Sequence, residues 1–290
     1  MRTEAEMMEL ILDTARADGR IRAAYMGGSR VNPHAPRDIF QDYDVVYVVD
    51  STLPFRQDAR WIDRFGERLY MQYPEDGPYY ESDVENCYGW LMQFADGNRL
   101  DLHVCTAPAA LSDIAADPMV RVLLDKDGLL NGVGAPSDRA HWVKPFTQEQ
   151  LAATCNESWW CLNNVAKGLW RGELSYALEM LDMHVRPMLR RVLEWRAGQA
   201  TGFTVSVGKS CKYIERYLEP GIWQEYLATY APAQPQAVWD AVMRMCALMD
   251  AQARIVAAEA GYEYDAAEAA SARGYLEHVR ALPRDAQGVY

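Results

Sequence analysis

Asp42 and Asp44 stand two residues apart at the head of the apolar run Val45 to Val49, and the small-residue turn Gly27-Gly28-Ser29-Arg30 precedes them. Residues at i and i+2 on an extended strand share a face, so both carboxylates reach one locus. Oxygen donors of this kind suit Mg²⁺. A Gly-Ser turn lets backbone N–H groups come close to phosphate oxygens, because glycine has no side chain to hold them off. A third acid, Asp101, follows the turn signal Asp96-Gly97-Asn98. Three acids (Asp42, Asp44, Asp101) beside a phosphate cradle (Gly28, Ser29, Arg30) describe a metal-dependent nucleotidyl-transfer site. Such a reaction needs positioning and charge neutralisation more than covalent work by the protein, since the triphosphate carries its own leaving group. Asp42 and Asp44 bind metal in this reading, while Asp101 ligates the metal beside the nucleophile, accepts its proton, or does both. Asp-x-Asp alone arises often by chance, so the weight rests on the ordered combination of turn, strand and third acid.

The elements that must position these residues are legible around them. Thr3 and Glu6 have capping-box spacing, and Met7, Leu10, Ile11, Thr14 and Ala15 recur at helical intervals until Asp18-Gly19. Residues 21–26 read as a strand delivering the turn, and 43–49 as a buried strand carrying the acid pair. The stretch 54–70 reads as a helix. Residues 90–95 and 99–105 form a hairpin, with Leu100, Leu102 and Val104 on one face and Asp101, His103 and Cys105 on the other. Asp101 thereby joins Asp42 and Asp44. One or two helical turns are expected within 111–130, and the breaker cluster 132–137 marks a boundary. Thr147 and Gln150 then open a helical half, with helices over 151–170, 174–195 (kinked at Pro187), 222–229 and 238–260. The expectation is an α+β catalytic domain over residues 1–135 followed by an all-helical bundle over 136–290.

Composition narrows the chemistry. The 290 residues carry 29 basic and 41 acidic side chains, a net charge of −12 that repels nucleic acid and anionic membrane and attracts cations. No secretory signal and no membrane-length apolar run is present, so a soluble cytoplasmic protein, monomer or homodimer, is expected. The six cysteines lack C-x-x-C spacing and read as buried reduced thiols. No paired histidine spacing and no Gly-x-Ser-x-Gly elbow supports a hydrolase, and His103 reads as a structural, hydrogen-bonded histidine. The segment Gly202 to Ser210 imitates a P-loop, but five residues separate its glycines where four are required. Lys209 and Lys212 remain candidates for nucleotide phosphate, against the ordinary reading of solvated lysines. Glu157, Trp160, Lys167 and Asp182 offer an acidic, aromatic helical surface for a polycationic sugar, against the ordinary reading of tryptophans as core.

These residues resemble a known family, the aminoglycoside 6-adenylyltransferases (streptomycin adenylyltransferases) of the nucleotidyltransferase superfamily. The resemblance runs through Gly28-Ser29-Arg30, Phe40-Gln41-Asp42-Tyr43-Asp44, Asp96 to Leu102 and Leu123 to Gly128, then through Asn156 to Trp160, Val165 to Leu169, Arg186-Pro187, Thr201 to Phe203 and Ser206 to Lys209. It implies a polymerase-β-like domain, a mixed sheet with flanking helices, ahead of the helical bundle. It also implies ATP and Mg²⁺ as reactants, and AMP transfer to the 6-hydroxyl of the streptidine ring of streptomycin, giving antibiotic resistance. Gly28 and Ser29 match the phosphate cradle, Asp42 and Asp44 the metal pair, and Asp101 the third acidic position. The alternatives are a nucleotidyltransferase acting on another small molecule or a protein hydroxyl, and a non-catalytic nucleotide-binding protein.

Overall fold

The computed structural model describes residues 1–79 and 81–290, which divide into two compact units, Met1–Ala140 and His141–Tyr290. The first is built on helix α1 (Glu4–Ala17), whose N-terminus is closed by the Thr3/Glu6 capping box and whose buried stripe is Met7, Ile11, Thr14 and Ala15. After it come β1 (Ile21–Met26), β2 (Tyr43–Val49), the single-turn α2 (Leu53–Arg56), β3 (Arg68–Gln72), β4 (Cys87–Phe94), β5 (Arg99–Thr106), α3 (Ala107–Ala116) and β6 (Arg121–Asp125). The six strands form one mixed sheet in the order β3-β4-β5-β2-β1-β6, parallel between β2 and β5 and antiparallel elsewhere.

Alternation along the central strands separates two faces. Tyr43, Val45, Tyr47 and Val49 of β2 pack with Leu100, Leu102 and Val104 of β5 and with Met7 and Ile11 of α1. The opposite face holds Val48, Cys105 and, from α3, Ala110 and Ile114, and it is on this side that Asp44 and Asp101 project.

Two sequence expectations change here. Residues 54–70 are not one helix: α2 ends at Arg56, a 3₁₀ segment spans Trp61–Phe65, and Gly66 turns the chain at φ +117° into β3. The cause is aromatic packing, since Trp61 lies edge-on to Phe55 and beside Trp90 and draws the segment into the sheet core. Within 111–130, the helix begins earlier, at Ala107, and β6 follows it as an edge strand. The cysteine reading changes as well: Cys87 and Cys105, direct partners across β4 and β5, are joined as a disulfide, while Cys155, Cys161, Cys211 and Cys246 are buried and free.

The second unit is an all-helical bundle: α4 (Gln148–Arg171), α5 (Leu174–Met180), α6 (Arg186–Thr201), α7 (Pro220–Leu227), α8 (Pro235–Ala260) and α9 (Ala266–Ala281). The Thr147/Gln150 capping box opens α4, and Gly172 in the left-handed region closes it. Where one kinked helix was expected over 174–195, a π turn at Leu181–Val185 joins α5 to α6. Pro187 in the first turn of α6 has no N–H to return to the preceding turn, which frees the backbone to widen there. Helix α9 carries no clear signal in the sequence because its buried set is only Ala269, Leu276 and Val279. Among the described residues no helix is long and apolar enough to cross a membrane.

Candidate active site

The parallel register of β2 against β5 sets Asp44 beside Asp101. Asp42, just ahead of β2, completes the group, and carboxylate oxygens of all three lie within 4.8 Å of one another. The turn after β1 is fastened to the same strand, because the Gly27 N–H donates to the Asp44 carbonyl at 2.9 Å. Gly28 lies at φ +69°, and a Cβ added there would fall 1.8 Å from Asp44 Oδ2. Both the backbone conformation and the carboxylate thus require glycine at this position. The Ser29 carbonyl accepts from Gln41 Nε2 at 3.2 Å, which ties the turn to the residue before Asp42.

Three carboxylates this close repel one another. Burial first, then the charges on Asp42 and Asp101, push the Asp44 carboxyl up to about 6 from its ordinary 3.8, and Arg99 pulls against them. Arg99 is the resident countercharge: its Nε and Nη2 grip the Asp101 oxygens at 2.8 and 2.5 Å, and Nε stands 3.8 Å from Asp42 Oδ2. A cation is therefore wanted at this point. An all-oxygen, three-carboxylate donor set fits a hard divalent ion such as Mg²⁺, which Asp42, Asp44 and Asp101 would hold together.

The Arg30 side chain is turned to the protein. Its guanidinium is 8% exposed, donates from Nε to the Asp42 carbonyl at 2.9 Å and from Nη2 to the Gln41 carbonyl at 2.8 Å, and lies 3.7 Å over the Tyr43 ring. With those donors it braces the mouth of β2. His103, on the acid face of β5, fills space left by Gly89, where an added Cβ would lie 2.4 Å from its ring. Burial lowers its basicity, with Glu75 at 3.8 Å opposing, so a packing role suits it better than proton transfer.

The remaining candidates belong to the helical unit. Trp160 is 68% exposed on α4, whereas its neighbour Trp159 is buried. Glu157 accepts from the Cys161 thiol at 3.2 Å, and Asp182 pairs with Arg186 Nε at 2.8 Å. Lys167 lines a cavity of about 270 Å³ with Trp170 and Tyr275. Lys209 and Lys212 flank the strained turn around Ser210, at φ 55°, with Lys212 Nζ 5.0 Å from the Tyr213 ring. Strand spacing puts Arg99 on the face of Asp101, but not the two-point grip between their side chains, which appears only in the fold.

The model of a family described as streptomycin adenylyltransferase matches residues 1–279. An aminoglycoside 6-adenylyltransferase of Bacillus subtilis (strain 168) is 37% identical over 265 residues, covering 91% of this chain and 93% of that protein. Proteins of the same name from Campylobacter jejuni and Staphylococcus aureus are 33% and 31% identical, each over 91% of this chain and over 91% and 94% of their own lengths. A crystal structure of an aminoglycoside 6-adenyltransferase from Bacillus subtilis aligns over 97% of this chain and 100% of its own at 32% identity, with a TM-score of 0.49. With a match across nearly the whole chain and three relatives above 30% identity, the chain belongs to the streptomycin adenylyltransferase family of nucleotidyltransferase enzymes.

Proposed function

We propose that this enzyme transfers AMP from ATP to the 6-hydroxyl of the streptidine ring of streptomycin, releasing pyrophosphate and conferring resistance in the cytoplasm. The observation that carries the reading is the convergence of Asp42, Asp44 and Asp101 beside a turn whose Gly28 admits no side chain. Bound Mg²⁺ supplies neutralisation of the triphosphate charge. The backbone of Gly28 and Ser29 binds phosphate oxygens, and Asp42 and Asp44 would hold the ion beside them. Asp101 takes the hydroxyl proton once Arg99, now bonded to it, lets go. Lys209 and Lys212 contribute positive charge to the triphosphate. Streptidine carries two guanidinium groups, which suit the carboxylates of Glu157 and Asp182 and the exposed face of Trp160, and Lys167 is the fourth candidate for the acceptor. The net charge of −12 favours approach of such a polycation.

The test is pyrophosphate release with ATP and Mg²⁺ and with streptomycin, spectinomycin and kanamycin offered in parallel. Release with streptomycin alone supports the assignment. Release with a different acceptor, or equally with none, overturns the acceptor while leaving the transfer chemistry in place.

A further inference from the structure

Besides the three aspartates, the described residues bring together one other set of metal-ligating side chains, and it is made by the helical unit alone. Glu157 and Cys161 are i and i+4 on α4, hence on one face of that helix, and His184 comes from the π turn that joins α5 to α6. One ligand atom from each lies within 4.8 Å of the other two. We propose that Glu157, Cys161 and His184 form a binding site for a borderline-soft divalent cation, zinc foremost.

The donors argue for that class of ion. A thiolate, an imidazole and a carboxylate are the ligand types of zinc sites, whereas Mg²⁺ takes oxygen alone. Zinc bond lengths place ligand atoms roughly 3.5 Å apart in a tetrahedral site. The observed separations are close to that spacing, with Glu157 and His184 exposed and Cys161 buried. The π turn is the second observation: such turns gather at functional sites, and this one carries His184 towards α4. Three protein ligands leave a fourth position for water or a ligand.

The Cys161 thiol donates to Glu157 Oε1 at 3.2 Å. Binding releases this proton to solvent as the sulfur bonds to the ion. Bound metal ties α4 to the α5–α6 junction.

Glu157 is also a candidate acceptor contact, so the test reads metal binding itself and not turnover. The purified full chain is titrated with Co²⁺ as the spectroscopic probe for zinc, followed by displacement with Zn²⁺. The expected result is one equivalent giving thiolate-to-cobalt charge-transfer absorption, bleached by Zn²⁺, weakened at least tenfold in affinity by His184→Ala and abolished by Cys161→Ser. The Asp42→Asn variant is expected to keep the absorption unchanged, which separates this site from the aspartate cluster. Circular dichroism verifies that the variants are folded, and Glu157→Gln stands in should Cys161→Ser fail to fold. Absence of a charge-transfer band in the wild-type chain, or its persistence in both the His184 and the Cys161 or Glu157 variants, overturns the proposal.

Discussion

Asp44 shows at the scale of one residue how function and stability oppose each other. Its carboxyl sits at about 6 in the folded chain against 3.8 ordinarily, so the folded state binds the proton more tightly than the unfolded one. By linkage that contribution is fully present below about pH 4 and is lost as pH rises through about 6. A rise of this size corresponds to about 3 kcal/mol, and partial solvent access to the group reduces it to about 1–2 kcal/mol. Asp44→Asn should therefore stabilise the metal-free protein by that amount at pH 8 and by almost nothing at pH 4, as measured by urea unfolding in the presence of chelator. A variant destabilised at pH 8 would mean that Arg99 already offsets the repulsion in full. The pairing of Asp42 with Asp44 was legible in the sequence because strand periodicity alone puts them on one face. The countercharge from Arg99 was not, because it depends on a side chain folding back over its own strand towards Asp101.

At the scale of elements, the acids work only if the mouth of β2 is held, and Arg30 does the holding. Its guanidinium satisfies the carbonyls of Gln41 and Asp42 and stacks on Tyr43, contacts that sequence spacing cannot distinguish from a phosphate-facing arginine. Arg30→Ala should cost about 2–4 kcal/mol in chemical denaturation, through two orphaned carbonyls and a void against Tyr43. Arg30→Lys should recover little of it, since a point charge cannot fork two carbonyls. A neutral effect on stability with a tenfold rise in KM for ATP would return Arg30 to the phosphate cradle. Elsewhere, elements with strong caps or clean alternation were readable: α1 and α4 from their capping boxes, β2 and β5 from their apolar runs. Residues 54–70 imitate a helix in sequence because Phe55, Ile62 and Phe65 fall near helical spacing while each packs into the sheet core. The edge strands β3 and β6 leave no sequence signal because neither has a buried residue to mark its alternation.

For the whole molecule, two compact units divide the chain between a mixed sheet carrying three clustered aspartates and a helical bundle with its own core. Family membership makes it a nucleotidyltransferase, and the clustered aspartates locate where we place the chemistry. The order of turn, acid pair and third acid was visible from sequence because each lies on or beside a strand whose pattern is local. The countercharge that Arg99 brings and the ligand set around Cys161 were not, since both depend on how side chains meet after folding. The central claim is that AMP is transferred to streptomycin at the aspartate cluster. Mass spectrometry of streptomycin incubated with the enzyme, ATP and Mg²⁺ tests it most directly. The account predicts one AMP adduct on the streptidine ring, lost with Asp42→Asn in a folded protein; no adduct, or an adduct that survives that substitution, would contradict it.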